Sequence, residues 1–100
     1  MRILAIERPA EGMTDDRFTP ELLSAEARRT WELHQVGSIR ETFFRADEPA
    51  AVLMLECADA EEARGILATL PLVVTGLIDF ELIPLRAYPG FARILASAES

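Results

Sequence analysis

The chain has 100 residues, about the length of one domain and too short for two, so a single domain over residues 1–100 is expected. Half of it is hydrophobic and 27% is charged, with five Gly and six Pro, a composition that fits neither a disordered chain nor a fibrous repeat. Ten positive against 17 negative side chains leave a net charge of -7, which repels phosphate backbones, and no basic run overcomes it; nucleic acid is not an expected partner.

All the positive side chains are arginine, so the sequence offers no lysine for Schiff-base or general-base chemistry. Cys57 and His34 are the sole cysteine and histidine, too few ligands for a zinc site, and no metal is expected. An unpaired cysteine fits a reducing, cytoplasmic compartment. Glu7 interrupts the N-terminal apolar stretch short of a signal peptide, and no apolar run approaches about 18 residues, so a membrane is not an expected partner.

In chain order, residues 2–8 read as a strand ended by Pro9, followed by a loop over 10–19. Thr19-Pro20-Glu21 is a helix opening: an N-cap hydroxyl, a proline at the first helical position and an acid near the positive end of the dipole. Leu23, Ala27, Thr30, Trp31 and His34 recur at helical spacing, and Gly37 supplies a stop. Residues 38–45 and 51–57 read as strands joined through Asp47-Glu48-Pro49, a hairpin. Asp59 caps a second helix, with Glu62 completing a capping box, a stripe of Ala63, Ile66, Leu67 and Leu70, and Pro71 as terminator. Residues 78–86 form the last strand, and Phe91 to Ala96 a short amphipathic helix.

The order strand, helix, strand, strand, helix, strand is the doubled split β-α-β unit, a ferredoxin-like α+β fold: a four-stranded antiparallel sheet, two helices on one face and a C-terminal helix. The first and third strands, the most apolar, belong in the centre. Arg40 and Glu41 on the second, and Asp79, Glu81 and Pro84 on the fourth, belong on edges. Along the third strand Val52 and Met54 point one way and Leu53, Leu55 and Cys57 the other, so both faces are apolar. Two helices cover one face only, and a second copy is expected on the other, giving a homodimer with its sheets face to face.

Gly37-Ser38-Ile39-Arg40 opening the second strand, Leu70-Pro71-Leu72 after the second helix, and Asp79-x-Glu81 beyond it resemble the Gly-x-x-Arg, Leu-Pro-Leu and acidic steps of the muconolactone isomerase-like group in the dimeric α+β barrel superfamily. The similarity spans residues 27–85. It implies a small protein without metal or organic cofactor, assembled as a homodimer or a higher oligomer of dimers, that isomerises a carboxylated lactone by moving a proton beside a carbonyl. The second strand departs from the group, with Ile39, Glu41 and Thr42 in place of aromatic and His residues.

Proton transfer needs a base of tuned pKa in a dry pocket and an electrophile for the developing enolate. Glu56, in the most apolar strand, is one candidate proton carrier, and His34, near the negative end of the first helix, is another. Arg40 matches the family motif and suits a substrate carboxylate; Tyr88 and Trp31 could contribute to a binding pocket. Each has a structural alternative: a solvated strand-end carboxylate, a helix-boundary imidazole, an edge-strand arginine, a docked tail and a core indole. Phe43, Phe44 and Phe80 are expected mostly in the core, and Cys57 as a small buried hydrophobe. Two functions follow: a cofactor-independent isomerase or related enzyme acting on a small carboxylated ring compound, or a non-catalytic small-ligand-binding or assembly module.

Overall fold

A computed structural model describes the backbone of residues 1–99 and the side chains of residues 1–95; Ser100 and the side chain of Ala96 lie outside the described residues. Four strands, β1 (Arg2–Pro9), β2 (Ile39–Phe44), β3 (Ala51–Glu56) and β4 (Ile78–Pro84), form one antiparallel sheet in the order β2-β3-β1-β4. The apolar strands are central and the charged ones are edges, as the burial argument requires. The fold is ferredoxin-like α+β.

Helix α1 (Pro20–Gln35) opens where expected. Thr19 Oγ1 accepts the Leu22 N–H at 3.2 Å, and Pro20 takes a position whose missing N–H costs nothing. Its buried face differs from the expected stripe. Leu33 is buried and Leu22, Glu26 and Arg29 are half-buried, whereas Leu23, Ala27 and Trp31 face solvent. Thr30 and His34 of the expected stripe are half-buried, so the two faces overlap at one edge, and the sheet selects a row one residue round the helix in which Leu22 and Leu33 alternate with Glu26 and Arg29.

The second helix, α2 (Ala60–Leu67), is capped by Asp59, whose Oδ1 accepts the Glu62 N–H at 2.8 Å. It ends at Leu67, so Leu70 lies beyond it and Pro71 is not its terminator. Proline at the first helical position opens a further turn, α3 (Pro71–Val74), which buries Leu72. The C-terminal helix is α4 (Gly90–Glu99), longer than the 91–96 expected. No helix among the described residues is long and apolar enough to cross a membrane.

The core lies between the sheet and α1–α3. Ile3, Ala5, Leu53, Leu55 and Cys57 meet Leu33, Ala63, Leu67, Leu70 and Leu72 there. The opposite face carries two cross-strand rows, Phe43–Val52–Ile6–Glu81 and Glu41–Met54–Leu4–Ile83, fixed by the pairing register. Strict alternation fails at one place. A bulge between Ile39 and Glu41 leaves Arg40 as the extra residue, so it does not share a face with Phe44 by simple period two. Of the aromatics expected in the core only Phe80 is buried; Trp31, Phe43 and Phe44 are exposed.

Candidate functional site

A cleft of about 490 Å3 opens on the helix-bearing side, between the end of β1, the first turns of α1, the 10–19 loop and the β2–β3 hairpin. Its volume falls within the range of about 300–1,000 Å3 usual for small-molecule sites. The loop wall is shaped by Gly12, at φ +78°, and by a 3-10 turn over Asp15–Arg17 that brings Met13 and Phe18 against the core. Leu23 and Phe44 flank the mouth, and Leu72 and Ile78 contribute apolar wall.

The polar groups on this surface are three carboxylates: Glu7, Asp15 and Glu48. Glu48 is matched by Arg45, at 2.7 Å, and Arg45 also holds both Asp47 oxygens, at 2.9 and 2.7 Å. The hydrogen bond from Arg45 keeps the Asp47 carboxyl below its ordinary value. The hairpin turn forming one wall is therefore stapled by its own charges.

Glu7 is in a different setting. It lies on β1 in phase with Ile3 and Ala5, between Ala51 on β3 and Phe80 on β4, pointing to the core side of the sheet. Its Oε1 accepts the Ala51 N–H at 3.0 Å. Burial pushes its carboxyl up from the ordinary value, and the Ala51 bond draws it only part of the way back. Glu26, on the core face of α1, repeats the pattern: its Oε1 accepts the Leu72 N–H at 2.9 Å. Burial raises it, the Leu72 bond lowers it, and the charge of Glu7 raises it further. Two half-buried carboxyls with raised pKa values, Glu26 lifted in part by the charge of Glu7, thus mark the floor of the cleft and the layer beside it.

The residues singled out from the sequence lie elsewhere. Glu56 is on the open sheet face, exposed, with Oε2 3.4 Å from the N-terminal ammonium; this is the strand-end carboxylate alternative. His34 Nε2 shares a hydrogen bond with Thr42 Oγ1, and its ring lies 6.5 Å from that of Trp31, whose indole is 62% exposed. Arg40 is exposed at the β2 bulge, its guanidinium folded back towards Gly37. Tyr88 is exposed and meets Phe91 edge-on at 5.0 Å. None of the five lines the cleft. Cys57 is buried as expected, with its thiol pushed up by desolvation.

The sequence reading takes Glu7 only as an interruption of an apolar stretch and passes over Glu26. The signal was present for both: Glu7 is two residues beyond Ala5 on a central strand, and Glu26 is one turn beyond Leu22. A carboxylate in phase with core positions has to be accounted for.

The fold and the cleft define a ferredoxin-like α+β protein with a partly apolar cleft beside the start of its first helix. A solved structure with this architecture is 5-chloro-2-hydroxyhydroquinone dehydrochlorinase from Burkholderia phenoliruptrix, in complex with 2,5-dihydroxybenzoquinone. The match has a TM-score of 0.64 and 14% identity, covering 90% of this chain and 98% of that one. At that identity the likeness shows the shared fold alone and does not reach the muconolactone isomerase-like group. No protein-family model matches the sequence, and no curated protein matches it. The motifs behind the resemblance do have structural work in this chain. Gly37, at φ +84°, makes the left-handed turn into β2, and Leu70-Pro71-Leu72 starts α3 and presents the N–H that Glu26 accepts.

Proposed function

We propose that this protein is a cofactor-independent enzyme that binds a neutral, hydroxylated ring compound in the cleft and moves a proton with Glu7, in an isomerisation or elimination. The observation that carries the reading is the Glu7 carboxyl: one oxygen pinned by Ala51, walls of apolar carbon around it, and a pKa raised by burial, the direction that favours a proton carrier. The fold neighbour's activity on a chlorinated hydroxyhydroquinone agrees with a small ring as substrate.

Charge revises the expected substrate. The cleft lining holds three carboxylates and no arginine, so a carboxylated ring would meet repulsion without a partner. Neutral di- and trihydroxybenzenes should therefore bind more tightly than the matching benzoates in calorimetric titration, and Glu7→Gln should retain binding while abolishing turnover. Preference for the benzoate, or turnover surviving in Glu7→Gln, overturns this reading. The second reading, a binding module without chemistry, is favoured by one fact: among the lining residues no cation or hydroxyl is placed to hold a developing oxyanion. Saturable binding with no turnover of any isomerisable or halogenated ring would select it.

We also propose that the open sheet face pairs with the same face of a second copy. Leu4, Ile6, Val52, Met54 and Ile83 form its apolar centre, ringed by the Arg8–Glu81 and N-terminus–Glu56 ion pairs, the usual plan of a dry core and polar rim. Oligomeric state by light scattering tests this, and a monomer at micromolar concentration overturns it.

A further inference from the structure

We propose that a second site, the small pocket between α2, α3 and the outer edge of β4, binds a free aliphatic α-amino acid. Leu67 and Phe80, both buried, and Val73 and Leu82, both half-buried, give it an apolar lining, and the exposed Arg64 and Asp79 stand at its rim. Its volume is about 120 Å3, below the range of about 300–1,000 Å3 usual for larger ligands. At a liquid share of about 30 Å3 per water this is the space of about four waters, room for a short branched side chain.

Asp79 reaches this pocket round the edge of the sheet. Its cross-strand neighbour on β1 is Arg8, and alternation places it on the face opposite Phe80. Arg8 is taken by Glu81. The bonds from Leu85 N–H to Arg2 O and from Ala10 N–H to Leu77 O fix the ladder, so the odd residues of β4 bond to β1, while Phe80 and Leu82 turn their N–H groups to the free edge. Asp79 Oδ1 accepts the Phe80 N–H there at 2.8 Å, which curls the carboxylate onto the pocket and leaves Oδ2 uncommitted among the described residues. Arg64, in the last turn of α2, joins no ion pair among the described residues, with Asp79 or with another acid. A ligand bearing only a carboxylate would meet the charge of Asp79, and one bearing only an amine would meet Arg64. A zwitterion satisfies both, its carboxylate on Arg64, its ammonium on Asp79 and its side chain on Phe80 and Leu82. The Leu82 N–H and C=O, at the same free edge, offer it a further donor and acceptor.

Calorimetric titration of the full chain near pH 7 with L-valine, L-leucine, isocaproate and isoamylamine tests this. It uses no ring compound, so its result is separable from the reading of the cleft. Saturable binding of leucine or valine is expected. Isocaproate, which lacks the ammonium, and isoamylamine, which lacks the carboxylate, should each bind about tenfold or more weakly than leucine. Asp79→Asn keeps an oxygen for the Phe80 N–H and removes the charge, so it should erase the preference for leucine over isocaproate. Arg64→Gln should erase the preference for leucine over isoamylamine. Both positions are exposed, so both variants should fold as the parent does, which circular dichroism checks. No saturable binding of either amino acid overturns the proposal. So do equal affinities for leucine and isocaproate in the parent, or amino-acid binding that both substitutions leave unchanged.

Discussion

Glu7 and Glu26 face each other electrostatically across the β1–α1 layer: each carboxylate accepts one backbone N–H from a neighbouring element, Ala51 or Leu72, and the charge of Glu7 lifts the pKa of Glu26. The two bonds tie the start of β3 to β1 and the start of α3 to α1. They hold the cleft floor by placing charge where it is expensive.

That cost has a pH dependence. Both carboxyls sit above their ordinary value of 4.5 in the folded chain, so just above pH 4.5 the folded state holds protons that the unfolded chain has released. Stability from these two groups is therefore greatest on the acidic side of the window and declines as pH rises through the folded values. Glu26→Gln keeps an amide oxygen for Leu72 and removes the charge. Its unfolding free energy should fall less between about pH 4.5 and 7 than that of the parent; urea titrations at both pH values check this. Equal declines would refute it.

Phe44 is 68% exposed and stands at the cleft mouth. Phe44→Ala should change stability by no more than about 0.5 kcal/mol, as surface substitutions do. A lost ring contact worth about 0.5–1.5 kcal/mol should weaken binding of a hydroxylated ring by up to about tenfold. Thermal melting and calorimetry separate the two effects.

The two faces of β3 should respond differently. Leu55 is fully buried under the helices, and Leu55→Ala should cost about 2–5 kcal/mol whatever the protein concentration. Val52 is on the open face, in the row with Ile6 and Phe43. Val52→Arg should leave the single chain folded and abolish the proposed face-to-face pairing, read by light scattering as a smaller species than the parent.

Two local devices have defined magnitudes. Asp59→Ala removes the cap on Glu62 N–H and should cost about 1 kcal/mol. Gly37→Ala places a side chain at φ +84°, and the left-handed penalty of about 1–2 kcal/mol should appear as a lower melting temperature. Circular dichroism melts report both.

Much of the fold was legible in the sequence because its signals are local. Thr19-Pro20, Asp59 and Gly37 set helix ends through hydrogen bonds and backbone angles a few residues in reach, and alternation in residues 51–57 announced a strand apolar on both faces. Edge and centre were readable from where charge and proline fall. What only the tertiary structure decided was direction and convergence. The sheet chose the Leu22–Glu26–Leu33 face of α1 over the Leu23–Ala27–Trp31 face, a rotation that helical periodicity leaves nearly free until something packs against it. The bulge at Arg40 broke the alternation that would have placed its side chain. Glu7 became a candidate site residue, and Glu56 a surface ion pair, because desolvation depends on what the rest of the chain lays over a carboxylate; that sum runs over neighbours more than forty residues away, such as Ala51 and Leu72.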